Sequence, residues 1–229
     1  VKKNAWIGLV VAIAAVASLI VAVLLLTAPR GGGDAGGTPS ASPASAEGVD
    51  GGYCQVGESD EVNPPADLAW EAARGFTWPV SSSVGPTKER DGYPACFERS
   101  PAGAGLFAAT FYAEAMVGSG APVDALDFYT VESPGKSEVL RTAPASNEGA
   151  TESWASAGMT FAGYRIDEYT EDRVSLYVVV TTSRNATGYA GFPMTVVWEG
   201  DDWKMRPKDD GSSGSPIDVT SDDFVRWVG

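Results

Sequence analysis

Histidine is missing from all 229 residues of this chain. That removes the commonest general base and the commonest metal ligand, so a Ser-His-Asp relay and a histidine-held zinc are excluded at once. Cysteine is nearly missing too: Cys54 and Cys96 are the only two, too few for a four-cysteine metal cage. Positive charge is scarce, with 16 Lys and Arg against 30 Asp and Glu and a net charge of −14. Lys2, Lys3 and Arg30 precede every acid, so the remainder carries 13 bases against 30 acids, a net of −17. Such a surface repels phosphates at long range, which argues against nucleic acid and against anionic lipid headgroups as partners. The GAGLF after Ser100-Pro101 lacks the Gly-Lys-Ser/Thr of a phosphate loop. Ser100, Ser133 and Ser137 have no histidine to activate them. No catalytic motif is present, and no cofactor, resident metal or enzymatic activity is expected.

What the chain does have is one long apolar run. Trp6 to Leu26 reads WIGLVVAIAAVASLIVAVLLL, 21 residues without charge or proline. A membrane-spanning helix needs roughly 20 such residues. Lys2 and Lys3 lie before it and all the acids after, so the amino terminus is expected in the cytoplasm and the rest outside. The rival reading is a cleaved signal peptide, whose apolar region is shorter, about 7–15 residues, and ends in a small-x-small site. The length, and Pro29 just after Thr27-Ala28, favour a single-pass anchor in the cell membrane. Gly8/Ala12 and Ala14/Ser18/Ala22 put small residues four apart, a weak hint of helix pairing.

Residues 1–5 then form a cytoplasmic tip, 6–26 a transmembrane helix and 27–52 a Gly/Ser/Pro linker with nothing large to bury. As a flexible coil that linker spans about 25–30 Å. Residues 53–97 contain prolines at 64, 65, 79, 86 and 94 and read as an extended arm, with a short helical turn near Ala66–Arg74. In an oxidising compartment Cys54 and Cys96 are expected to form a disulfide stapling this arm to the domain; two buried thiols are the alternative.

Residues 98–229 read as one α+β domain. Ser100-Pro101 is a cap followed by proline at the first helical position. The run after it puts Leu106, Ala109, Thr110, Ala113 and Val117 on one stripe. Short helices follow at 122–129 and 135–141, then a polar loop over 142–151. From about Ser153 the period changes to two, through Ala162/Tyr164/Ile166, Val174 to Val180, Phe192 to Trp198 and Trp203 to Arg206. That predicts an antiparallel meander of about four strands. Ser221-Asp222-Asp223 reads as the cap of a last helix, 224–228. The pairs Asp201-Asp202, Asp209-Asp210 and Asp222-Asp223 do not fit calcium-loop spacing and read as turns, solvated surface and that cap. Asn185-Ala-Thr187 is a glycosylation sequon, relevant only where a secretory pathway uses it. The seven tryptophans read as core or interface side chains.

Helices first and a meander after resembles the cone-shaped nuclear transport factor 2-like fold, over about residues 97–207. A closer likeness runs over about 85–229. GPTKERDGYPACFERSPAGAGLFAATFYAEA, then SPGKSEVL, then FVRWVG, resembles a group of actinobacterial membrane proteins of conjugative and integrative elements. The matching positions are Gly85, Pro86, Ser100, Pro101, Gly103, Ala104 and Trp227; Cys96 departs from the pattern, so the disulfide is no part of the likeness. Anchor plus domain is also similar to the bitopic scaffold subunit of type IV secretion machines. The resemblance implies a non-enzymatic scaffold that binds other transfer proteins and associates weakly with itself. The alternative is an extracytoplasmic pocket protein, binder or enzyme, using the cavity of the cone. On that alternative Tyr164, Asp167 and Glu168 are the best-placed polar side chains by strand position.

Overall fold

The computed structural model describes residues 52–228. Two hairpins come first. β1 (Leu68–Ala73) pairs with β2 (Phe76–Ser81), and β3 (Lys88–Arg90) with β4 (Tyr93–Ala95). Each turns on a two-residue loop with positive φ at both positions, Arg74-Gly75 and Asp91-Gly92. That geometry matches the right-handed twist of paired strands. The extended arm with a helical turn expected over 53–97 is therefore corrected. Asp91-Gly92 between short β-compatible runs was the available hairpin signal, and the surrounding prolines masked it.

Four helices follow: α1 (Pro101–Val117), α2 (Pro122–Tyr129), α3 (Pro134–Thr142) and α4 (Ala150–Ser156). Ser100 caps α1 by accepting from the Gly103 N–H, and Ser133 caps α3 by accepting from the Lys136 N–H. α4 forms where the end of the polar loop and the start of period-two alternation were expected.

Strands β5 (Phe161–Thr170), β6 (Arg173–Thr181), β7 (Tyr189–Glu199) and β8 (Asp202–Met205) make the meander. Two short strands widen it to six, all antiparallel: β9 (Ile217–Asp218) pairs with β7 and β10 (Val225–Arg226) with β5. β10 stands where a terminal helix was expected. Five residues are too few to hold an isolated helix, and β5 otherwise offers an unpaired edge. Gly163 makes the approach possible, since a Cβ there would lie 1.9 Å from the Val225 carbonyl oxygen.

α1 is the hub. Fourteen of its 17 residues are buried, so it has no solvent face, only the interrupted exposure of Tyr112, Glu114 and Ala115. It packs on the large sheet and is also covered by β2. Phe76 of β2 reaches Trp154 and Phe161, ring centroids 5.4 and 5.5 Å away. Small residues allow this: a Cβ on Gly105 would come within 2.9 Å of the Tyr164 ring.

The expected architecture, a transmembrane helix and then helices on about four strands of a nuclear transport factor 2-like cone, is thus corrected: the sheet has six strands, and no membrane-crossing helix lies among the described residues. The described residues form an α+β domain with four helices, a six-stranded antiparallel sheet and two added hairpins. Among them no helix is long and apolar enough to cross a membrane. The expected span 6–26 and the linker up to residue 51 lie outside the described residues.

Candidate functional site

The residues singled out by strand position do not converge. Tyr164 points into the core against Gly105, and its hydroxyl donates to the Val62 carbonyl at 2.6 Å. Asp167 is the extra residue of a β-bulge between Ile166 and Glu168. It is exposed and accepts from Arg165, at 3.0 Å from Nε. Glu168 is also exposed. No proton-transfer constellation joins these three.

A buried carboxylate is placed elsewhere. Asp202, the first residue of β8, is 3% exposed. Its carboxylate accepts from the N–H of Cys96 at 2.7 Å, of Phe97 at 3.0 Å and of Trp203 at 3.0 Å. Burial pushes its pKa up, and the three N–H donors work against that rise. Cys96 itself has φ +69°, a left-handed conformation unusual for a side-chain-bearing residue, and the carboxylate holds it there. Next to it, Asp201 accepts from the Cys54 N–H at 2.9 Å and pairs with Arg90 at 2.7 Å. These contacts outweigh partial burial and bring the Asp201 pKa down. Cys54 and Cys96 are joined by a disulfide, Cα atoms 5.0 Å apart. Their sulfurs and the Asp202 carboxylate lie within 4.8 Å of one another, yet bridged sulfurs are not thiolates and offer no metal cage.

The same logic recurs around the core. Tyr129 of α2 donates to the Pro94 carbonyl at 2.8 Å, and Trp203 Nε1 to the Glu98 carbonyl at 2.9 Å. With Tyr164 and Asp202, four buried side chains of the helical and sheet core all grip backbone between residues 62 and 98. The reading of Asp202 as solvated turn is thereby corrected, while Asp201 does stand in the β7–β8 turn. The other pairs do behave as turns: Asp210 accepts from the Ser212 N–H at 2.9 Å, and Asp223 from the Thr220 N–H at 3.2 Å. Asp223 caps no helix. Asn185 of the sequon is occupied as well, its Nδ2 donating to the Tyr189 carbonyl at 2.6 Å and to Asp218 at 2.9 Å.

One cavity, of about 350 Å³, opens between the helices and the end of the sheet nearest β8. Phe111 and Met116 of α1, Leu126 of α2, Val139 of α3, Met194 of β7 and Met205 of β8 form its buried wall. Ser146, Asn147 and Glu148 of the α3–α4 loop stand at its rim. Tyr112 also lines it, its phenol kept neutral by a pKa that burial pushes up. Sequence reasoning missed this place. Strand parity puts Met194 on the same face as Phe192 and Val196, but nothing in the sequence says that α2 and α3 stop short of filling the space.

The positions behind the conjugation-element likeness have packing roles. A Cβ on Gly85, at φ +126°, would sit 2.8 Å from Phe97 Cα, and one on Gly103 would sit 2.0 Å from the Glu98 carbonyl oxygen. Trp227 is buried against Phe161 and Tyr164, centroids 5.9 and 5.5 Å away. Such positions specify a fold, not a reaction. No curated protein and no solved structure matches the chain. One family does, over residues 33–226, described as Domain of unknown function (DUF8175). That match spans most of the sequence, and the chain belongs to this family.

Proposed function

We propose that this protein is a non-enzymatic scaffold subunit of a conjugation apparatus, tethered to the cell membrane with residues 53–229 outside. The observation that carries the scaffold reading is the use made of four buried polar side chains. Asp202, Tyr129, Tyr164 and Trp203 all hold the 62–98 segment on the core. An enzyme spends some of its buried polar groups on the reacting centre. The apolar run Trp6–Leu26 with its basic flank supports the anchor, and the likeness at Ser100, Pro101, Gly103, Ala104 and Trp227 supports the conjugation setting. A tether raises the local concentration of the domain near its partners, so weak contacts suffice. Weak self-association and co-purification with other transfer proteins follow from this reading.

The test is transfer of the element. Deleting residues 53–229 abolishes it. Replacing Asp167 and Glu168 together, by Asn and Gln, leaves transfer within about twofold of wild type, because surface substitutions away from special features change little. Loss of transfer in that double variant, with expression and folding intact, would transfer the case to an enzymatic pocket.

A further inference from the structure

We propose that the cavity between α1, α2, α3 and the sheet binds an uncharged apolar molecule of about a dozen non-hydrogen atoms with one hydrogen-bonding group. This goes beyond the scaffold reading and does not rest on it.

Size comes first. Close-packed interiors keep few voids larger than one water. Here about 350 Å³ is left open, on the order of a dozen times the roughly 30 Å³ share of a liquid water. Lining chemistry comes second. The wall is aliphatic, aromatic and thioether: of the chain's four methionines, three line the cavity, Met116, Met194 and Met205. Unbranched, polarisable side chains of this kind fit themselves to ligands of varied shape. Charge comes third. Among the described lining residues there is no Lys or Arg, and Glu148 at the rim is the one carboxylate. An anion such as a fatty acid would bring an unpaired negative charge beside that carboxylate, on a chain of net charge −14. A neutral molecule meets no such penalty, and the neutral Tyr112 phenol is there to give or take one hydrogen bond.

Access is provided by the rim. The α3–α4 loop is tied to the turn after α1 by Asn147 Nδ2 donating to the Gly118 carbonyl at 3.4 Å. That is at the long, weak end of hydrogen bonding.

The experiment uses the full chain in phosphatidylcholine nanodiscs with methionine methyls labelled for NMR, and two probes, 1-octanol and octanoate at pH 7.5. Octanol is expected to shift the methyls of Met116, Met194 and Met205 and to leave Met159, buried elsewhere, in place. Octanoate is expected to need at least tenfold more for the same shifts. Ala115→Phe, which puts a ring into the cavity from α1, is expected to abolish the octanol shifts while the Met159 signal and the melting midpoint stay unchanged. Equal movement of Met159, no movement of the three, or octanoate matching octanol would overturn the proposal. So would octanol binding that survives Ala115→Phe. If neither probe binds and Ala115→Phe instead stops co-purification of a transfer protein, the cavity receives a partner's side chain and the small-molecule assignment is wrong. These readouts are independent of element transfer, so the scaffold reading and the ligand proposal fail separately.

Discussion

Glu114 shows what a single misplaced charge does inside this domain. It lies on α1, partly buried, and no cation among the described residues forms an ion pair with it. Burial raises its pKa, and the carboxylates of Glu71 on β1 and Glu89 on β3 raise it further. Tyr93 and Tyr129, which face the same region, have raised pKa values in part because of Glu114. Since the folded protein holds this proton more tightly than the unfolded chain, the contribution of this one group to folding stability is greatest below the ordinary value of 4.5. It is lost as pH rises through the raised value. Glu114→Gln removes that loss. The variant is expected to be more stable than wild type at pH 8, by up to about 1 kcal/mol because solvent still screens the exposed part. The gain shrinks toward pH 5. Urea midpoints followed by tryptophan fluorescence at the two pH values check it; a variant less stable at pH 8 would show that the carboxylate has a partner there.

At the scale of elements, the two hairpins depend on the core more than the core depends on them. β1 is mostly exposed, with Trp70 38% accessible, and β3 has only three residues. Isolated hairpins of this size are marginal in water. They are kept in place by the disulfide, by the Asp201 and Asp202 contacts and by the Phe76 and Trp78 side chains of β2. The bridge joins residues 42 apart in sequence. A loop of that length is worth roughly 4 kcal/mol in the chain-entropy description. Replacing both cysteines with serine is therefore expected to lower unfolding stability by about 2–4 kcal/mol. Hydrogen exchange should speed up first over 53–97 and last in β5–β8. Uniform loss of protection across the meander would mean that the hairpins and the sheet fold as one unit.

For the whole molecule, what matters is where the segment before Tyr53 joins the domain. Tyr53 is clasped by the hairpin β3–β4: Lys88 Nζ donates to its carbonyl at 2.7 Å, the Arg90 guanidinium lies 4.7 Å from its ring, and its hydroxyl bonds the Glu89 carbonyl. Cys54 follows and is bonded covalently to Cys96, four residues before the cap of α1. Any pull from the amino-terminal side thus reaches the buried hub through a covalent bond and does not peel the hairpins away. On the proposed topology, protease added to intact spheroplasts degrades residues 53–229. Full protection, with degradation only after lysis, would put the domain in the cytoplasm.

The sequence by itself determined the features that local chemistry writes. Ser100-Pro101 and Ser133-Pro134 start helices because a hydroxyl can take the free N–H of the first turn and proline needs none. The meander follows from period-two alternation between Val174 and Met205. The cysteine pair was legible from its count and the compartment expected for it. Tertiary structure alone decided the rest. Asp201 and Asp202 are the same residue type one position apart, yet one is a partly exposed hairpin loop residue and the other a buried clamp, since strand parity turns only the second toward Cys96. The end of the chain became β10 because β5 had an unpaired edge and a glycine facing it, neither of which its own five residues record. The cavity arises from what four helices and two strands leave unfilled between them. That is a property of their placement, and no stretch of sequence encodes it locally.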